Sequence, residues 1–168
     1  EFNDHYIIYP TITFDNLNLQ YYKKRVTQGG KLSSFKGVNL PLSNISVSAI
    51  TEKDREDISA AIEYGVDYIA LSFVSKPEDV LALKALITDS DSPHIGVISK
   101  IERRSAVDNI IEIVKVSDIV MVARGDLGVE VGLEKVPEIQ KRTIRECNRF
   151  TTPVIVATQM LESMVSKP

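Results

Sequence analysis

The sequence contains a single cysteine, Cys147. A lone cysteine excludes an internal disulfide, and Cys147 falls on the apolar positions of a predicted helix, where we interpret it as a packing residue rather than a nucleophile. No apolar run approaches the roughly 20 residues that span a bilayer, and the N-terminal residues lack the layout of a signal peptide. We therefore expect a cytoplasmic protein that does not enter a membrane.

The sequence also lacks an excess of charge of either sign. Its 20 basic and 23 acidic residues are mixed along the chain and give a formal net charge of −3. No electrostatic footprint for nucleic acid or for an anionic membrane is present, so neither is an expected partner. The 168 residues, 43% of them apolar, are enough for a globular domain with a real core.

Residues 1–41 differ in composition from the rest. They hold four of the six tyrosines, and the alternating stretches 11–14 and 17–20 predict short antiparallel strands. Pro41 would stiffen the connection to the following region. The sequence therefore predicts a small β element in residues 1–41 and a separate domain in residues 42–168.

From Thr51 onward, predicted strands and amphipathic helices alternate. Thr51 and Asp54 predict a capped helix start, and Ser75 and Pro77 predict the N-cap and first turn of a second helix. The predicted strands cover residues 67–73, 94–100, 118–123 and 152–157. The inward residues of the predicted helices are Ile58, Ala61 and Ile62; Val80, Leu83 and Ile87; Val107, Ile110, Ile111 and Val114; Val136, Ile139, Thr143, Ile144 and Cys147; and, in a last short segment, Met160, Leu161 and Met164.

Four apolar strands, each followed by a helix, indicate an α/β fold with a parallel sheet and right-handed crossovers. A doubly wound sheet usually has a glycine-rich loop after its first strand, but the stretch 72–75 is Ser-Phe-Val-Ser. A barrel fits better. Because a complete (β/α)8 barrel needs roughly 250 residues, four βα units predict a partial TIM barrel.

Lys100 and Glu102 are placed two residues apart at the end of a predicted strand, so an extended backbone points both to one side. The carboxyl end of a barrel strand is where chemistry is located in this architecture. Lys100 could neutralise charge on a transferring phosphoryl group or on a developing enolate. The alternative is a simple salt bridge at a strand end.

The next strand ends abruptly at Arg124-Gly125-Asp126. Gly125 permits backbone conformations closed to other residues and close approach of its amide to a ligand, while Asp126 offers a hard oxygen. Glu102 and Asp126, on neighbouring strand ends, could supply the one or two carboxylates typical of a magnesium site. The alternative for Gly125-Asp126 is a surface β-turn.

Thr158 follows the last predicted strand directly. Its hydroxyl and the amides of the following turn are suited to holding a carboxylate or phosphate. A plain helix N-cap is the alternative use, and the hydroxyl could serve both.

Three segments in order, Ile98-Ser99-Lys100-Ile101-Glu102, Met121 to Glu130 and Ala157 to Met164, closely resemble signature segments of the pyruvate kinase family. Lys36-Gly37-Val38-Asn39-Leu40-Pro41 is similar to a fourth, and the similarity covers residues 26–168. The resemblance implies transfer of a phosphoryl group from phosphoenolpyruvate to ADP, giving pyruvate and ATP in glycolysis. It also implies that the parent enzyme is a homotetramer.

The resemblance also implies roles for single residues. Lys100 would stabilise the transition state of phosphoryl transfer and contact substrate, and Glu102 and Asp126 would bind Mg²⁺ or Mn²⁺. Gly125 and Asp126 would contact the substrate, and so would Thr158, which would lie near the face where the enolate is protonated.

Other parts of the resemblance concern the nucleotide and the lid. Lys36 would reach the nucleotide from the linker between lid and barrel. Residues 1–41 would then be the remnant of the lid domain, and residues 42–168 would be barrel units four to seven.

The chain departs from the family pattern in several places. Arg103-Arg104 replaces the asparagine that usually follows the metal-binding glutamate. The family's K⁺ ligands precede the region that this chain covers, so we expect the K⁺ site to lie outside it, and the eighth strand lies beyond Pro168. A central fragment of a pyruvate kinase accounts for these features.

Two other functions remain open on the residues alone. Metal-dependent lyases and aldolases that act on pyruvate enolates also use a glutamate and an aspartate at barrel strand ends, but they would have no use for Lys36. Alternatively, the chain is a catalytically inactive truncated fragment with open barrel edges.

Overall fold

The computed structural model describes residues 50–90 and 94–158, together with two short backbone strands near the N-terminus. The chain forms two compact units, Glu1–Val38 and Asn39–Pro168. In the first unit, β1 (Ile7–Ile8) pairs antiparallel with β2 (Lys23–Lys24). The strands predicted at 11–14 and 17–20, Lys36, the boundary at Pro41 and the last predicted helical segment lie outside the described residues. A lid remnant in residues 1–41 therefore stays a prediction.

The second unit alternates strands with helices, as the sequence predicts. The strands are β3 (Tyr68–Leu71), β4 (Gly96–Ile101), β5 (Ile119–Ala123) and β6 (Val154–Ala157). The helices are α1 (Glu52–Glu63), α2 (Pro77–Asp89), α3 (Arg104–Asp108), α4 (Ile110–Val116), α5 (Arg124–Val131) and α6 (Val136–Arg149), with a 3₁₀ turn at Leu133–Lys135. Within the described ranges no helix is long and apolar enough to cross a membrane.

The four strands form one parallel sheet in the order β3-β4-β5-β6. Leu71 lies opposite Ser99, Ile101 opposite Val122, and Ala123 opposite Ala157. Each strand therefore neighbours the next one in the chain, without the reversal of order that a doubly wound sheet requires. This strand order is the one expected for part of a barrel, as the sequence predicts.

Alternating burial along β4 and most of β5 separates two faces of the sheet. Val97 and Ile101 of β4 and Val120 and Val122 of β5 are fully buried. They pack in one core with residues of the helices, including Leu83, Val80 and Ile87 of α2, Ile110, Ile113 and Val114 of α4, and Cys147 of α6. Each fully buried aliphatic side chain contributes about 1.5–3 kcal/mol through removal from water. The intervening residues of β4, among them Lys100, lie on the other face and are partly exposed.

The starts of the first two helices differ in how well they were predicted. Thr51 caps α1 in a capping box with Asp54, as predicted. Ser75 was predicted to cap α2, but the N-cap is Lys76. The reason is the Asp79 carboxylate, which accepts hydrogen bonds from the amides of both Ser75 (2.8 Å) and Lys76 (3.1 Å) and satisfies them without a Ser75 cap.

The single helix predicted around Val107 to Val114 is in fact two, α3 and α4, divided at Asn109. Asn109 has φ −97° and ψ 17°, outside the helical range. Its side-chain amide donates to the carbonyl of Ser75 (2.9 Å), so a tertiary contact replaces helix continuity at this residue. The apolar spacing still buries Val107 and Val114 because the two short helices keep one face on the sheet.

Candidate active site at the strand ends

Lys100 and Glu102 lie together at the carboxyl end of β4. The Nζ atom of Lys100 is 2.5 Å from Oε1 of Glu102, and it also donates to Oγ of Ser72 at 2.8 Å. The Glu102 side chain is 1% exposed and that of Lys100 is 25% exposed. The salt bridge considered from sequence is therefore present, and the Lys100 side chain remains partly exposed.

The second oxygen of Glu102 is held by the loop after β3. Oε2 accepts a hydrogen bond from the backbone amide of Phe73 at 2.7 Å. Phe73 has a φ of +57°, in the left-handed region that bulky residues rarely occupy. Sequence reasoning missed Ser72 and Phe73; their position directly after a strand that neighbours β4 was the available signal.

The stretch Arg124-Gly125-Asp126 is the first turn of α5, which begins directly after β5. The β-turn alternative is therefore wrong. Gly125 does not use the conformational freedom that glycine permits, because its φ is not positive. The Gly125 amide donates to Oγ1 of Thr158 at 3.2 Å, and an added Cβ would lie at an ordinary contact distance, 3.6 Å, from Cγ2 of Thr158.

Arg124 and Thr158 join the ends of β5 and β6. The Nε atom of Arg124 donates to the carbonyl of Ala157 at 2.9 Å, and Nη1 reaches Oε1 of Gln140 at 3.4 Å. Thr158 has a φ of +63°, and its hydroxyl donates to the Ala157 carbonyl at 2.6 Å while it accepts from Gly125. Arg124 thus ties α5 to the neighbouring strand, a role that the sequence did not reveal. The N-cap use of Thr158 involves residues outside the described ones.

Asp126 is exposed at the third position of α5, and among the described residues no hydrogen bond or ion pair engages its carboxylate. Glu102 keeps further lone pairs on both oxygens. In the described ranges no group of three or more histidine, cysteine, aspartate or glutamate residues could hold a metal. Two carboxylates suit Mg²⁺ or Mn²⁺, which retain several waters and bind through one or two carboxylates plus substrate oxygens.

An open cleft of about 510 Å³ adjoins this cluster between α1 and β3. Ser72, Phe73 and Arg103 are among the residues that line it, so the cleft adjoins the residues that contact Lys100 and Glu102. The structure thus brings Lys100 and Glu102 into one contact and Gly125 and Thr158 into another, at the ends of adjoining strands. Lys36 lies outside the described residues.

A sequential parallel sheet with polar side chains clustered at its carboxyl edge defines part of an α/β-barrel enzyme. The family model "Pyruvate kinase, barrel domain" matches residues 10–168. The chain therefore belongs to the pyruvate kinase family, which confirms the resemblance.

Individual relatives agree with the family match. The chain is 50% identical over 143 residues to a pyruvate kinase of Clostridium perfringens, with 85% of this chain and 30% of the relative covered. It is 52% identical over 143 residues to that of Agrobacterium vitis (85% and 29%) and 50% identical over 143 residues to that of Staphylococcus aureus (85% and 24%). The chain thus spans 24–30% of the length of these curated relatives. These matches do not favour the lyase or aldolase alternative.

Proposed function

We propose that this chain carries the metal side and part of the substrate side of an active site that transfers a phosphoryl group from phosphoenolpyruvate to ADP, giving pyruvate and ATP. The observation that supports this function best is the Lys100 ammonium placed against the buried Glu102 at a barrel strand end. At this end of the strand, the Lys100 cation can neutralise phosphate charge, and the Glu102 carboxylate can provide an oxygen ligand for a metal.

Lys100 would neutralise phosphate charge during transfer. Its ammonium is fixed by Glu102 and by Ser72 Oγ at 2.8 Å, so it is held in place before substrate arrives. A positioned cation that needs no rearrangement is the arrangement that lowers the barrier for developing charge.

Glu102 and Asp126 would hold Mg²⁺ or Mn²⁺. When bound, such a cation offsets negative charge on substrate oxygens and orients them. Glu102 supplies a carboxylate whose direction is fixed by two contacts, and Asp126 supplies one that the described structure leaves available. The family's K⁺ would be held by residues outside this chain.

Gly125, Asp126 and Thr158 would contact the substrate. The first turn of α5 directs backbone amides toward the edge of the sheet, where they favour a carboxylate or phosphate. The Gly125 amide and the Thr158 hydroxyl already meet at 3.2 Å, so an anion could accept from both after a small shift. Thr158 would also lie near the site of enolate protonation.

The remaining parts of the proposal lie beyond the described residues. Lys36 would contact the nucleotide, and the parent enzyme would be a cytoplasmic homotetramer. The lone, buried Cys147 fits a reducing compartment.

The test is calorimetric titration of the 168-residue chain with Mn²⁺, with and without phosphoenolpyruvate. We expect Mn²⁺ to bind, phosphoenolpyruvate to tighten it, and Asp126→Ala to abolish the binding. Asp89→Ala, at the end of α2, removes the same charge away from the site and should bind as the unmodified chain does. Equal titrations for Asp126→Ala and the unmodified chain would remove Asp126 from the site.

A further inference from the structure

Arg103 and Phe73, which both adjoin Glu102, form a cation–π contact. The guanidinium carbon of Arg103 lies 5.0 Å from the centroid of the Phe73 ring. Arg103 follows Glu102 in the chain, and Phe73 donates its amide to Glu102 Oε2 at 2.7 Å. The Arg103 side chain therefore contacts Phe73, the residue whose backbone amide holds the Glu102 carboxylate.

The backbone of Phe73 is in a conformation that needs support. Its φ of +57° is strained for a large side chain, and such residues persist only where their surroundings hold them. Phe73 is 49% exposed, so packing against the core covers only about half of the residue. Within the described residues, Phe73 makes a cation–π contact with Arg103, and its carbonyl accepts a hydrogen bond from Ser75 Oγ at 3.4 Å.

We propose that Arg103 is a positioning residue: by packing on the Phe73 ring it keeps the Phe73 amide on Glu102 and so fixes the carboxylate. The consequence for metal binding rests on the proposed function, whereas the hydrogen bond itself does not. Hydrogen-bond partners of a metal-binding carboxylate set its direction and its affinity for the metal. Arg103 acts on Glu102 in this way indirectly, through Phe73.

Removal of the Arg103 charge should affect metal affinity in the opposite direction to removal of its contact with Phe73. A guanidinium near a cation site repels the cation, so removal of charge alone should tighten metal binding. Loss of the support for Glu102 should loosen it. Arg104 provides the matched control, because it is the next residue, is exposed, and carries the same charge without the contact to Phe73.

The first measurement is the amide resonance of Phe73 in the full chain labelled with ¹⁵N-phenylalanine. The chain has only five phenylalanines, so the spectrum contains few signals. A strong bond to a carboxylate shifts the proton downfield and slows its exchange. We expect Arg103→Ala to move the resonance upfield and to speed its exchange about tenfold, in line with local opening of an unsupported residue. Arg104→Ala should change neither, and Arg103→Lys should restore part of both, because lysine also binds aromatic faces.

The second measurement is Mn²⁺ binding to the same variants. Direct partners of a metal ligand typically change affinity about 10–100-fold, and Arg103 acts through Phe73, so Arg103→Ala should bind Mn²⁺ about threefold to tenfold more weakly than Arg104→Ala. Equal Phe73 resonances in the two alanine variants would overturn the proposal, as would Mn²⁺ binding to Arg103→Ala as tight as to Arg104→Ala. If the unmodified chain binds no Mn²⁺, the proposed metal site fails in this chain and the Phe73 amide alone decides the role of Arg103.

Discussion

The Lys100 ammonium nitrogen lies 2.5 Å from Oε1 of Glu102, a carboxylate that is almost fully buried. A buried carboxylate is tolerated only with a counter-charge and hydrogen bonds, and here Lys100 provides the first and the Phe73 amide the second. The lysine proposed for phosphoryl transfer is thus also a structural partner of the proposed metal ligand.

Lys100→Met should therefore destabilise the chain, because it leaves Glu102 buried without its counter-charge. The expected loss in free energy of unfolding is about 2–4 kcal/mol, measured by urea denaturation. The double variant Lys100→Met/Glu102→Gln should recover much of it, since no buried charge is left unpaired.

Lys84→Met is the control for that experiment. It breaks the ion pair of Lys84 with Asp118 (2.8 Å), whose side chains are both partly exposed. The expected loss is at most about 1 kcal/mol. A Lys100→Met variant no less stable than Lys84→Met would show that Glu102 does not depend on Lys100.

Gly125→Ala should fold normally but bind phosphoenolpyruvate more weakly. The backbone is helical, and an added Cβ meets Thr158 at an ordinary 3.6 Å, so stability should rise by about 0.5 kcal/mol. The same methyl group narrows the space between the Gly125 amide and the Thr158 hydroxyl, where the substrate would bind. Thermal unfolding and calorimetry measure the two effects.

Gly132→Ala provides the opposite case. Its φ is +93°, which is unfavourable for any residue with a side chain, whereas the exposed Glu134 carboxylate that an added Cβ would meet can move aside. We expect a loss of about 1–2 kcal/mol. If Gly125→Ala proved the more destabilising of the two, the glycine at 125 would serve the backbone rather than ligand access.

The start of α1 should show an acid-dependent stability. The pKa of Asp54 is lowered, chiefly by hydrogen bonding with the Thr51 side chain and then with the Thr51 amide. A lowered pKa favours the folded state above the ordinary value of 3.8, and this contribution disappears as the pH falls through the folded value. Asp54→Asn should therefore cost about 0.5–1 kcal/mol at pH 7 and almost nothing near pH 2.

Urea denaturation of both proteins at several pH values checks this difference. Asp57→Asn, in the same helix, removes an exposed pair with Lys53 and should change little at any pH. A penalty for Asp54→Asn that persisted unchanged at pH 2 would rule out the capping carboxylate as its cause.

Cys147 should be unreactive in the folded protein. Burial, and secondarily the charge of Glu146, raises the pKa of its thiol to about 11, so little thiolate forms and none of it is accessible. Labelling with dithionitrobenzoate should be negligible at pH 8 and complete in urea. Fast labelling of the folded chain would contradict the packing role.

The same shift has a consequence at alkaline pH. The thiol is protonated in the folded state up to about pH 11 but ionises from about 9 when unfolded, so stability should fall as the pH rises between these values. Cys147→Ala should lose this component of the alkaline decline.

The order of strands and helices could be predicted because it depends on local apolar spacing. Val80, Leu83 and Ile87 are buried as their spacing indicated, and the placement of Lys100 and Glu102 on one side followed from strand geometry. Two boundaries failed for tertiary reasons. Asn109 breaks a helix to reach Ser75, and Arg124 begins a helix without any linker after β5.

The supporting residues of the site were not predictable in the same way. Ser72 and Phe73 reach the Lys100–Glu102 pair because Leu71 of β3 lies opposite Ser99 of β4. These paired residues are almost thirty positions apart in the sequence. The left-handed backbone of Phe73 has no sequence signal, since glycine is the residue expected there. Such contacts depend on the assembled sheet rather than on any local pattern.

The sequential order of the strands also orders events on the ribosome. Ser72, Phe73, Lys100, Glu102 and Arg103 all lie within the first two βα units, whereas the contact of Gly125 with Thr158 needs about 55 more residues, roughly 3–11 s of synthesis. The residues of the charged half of this site are therefore synthesised before those of the Gly125–Thr158 contact.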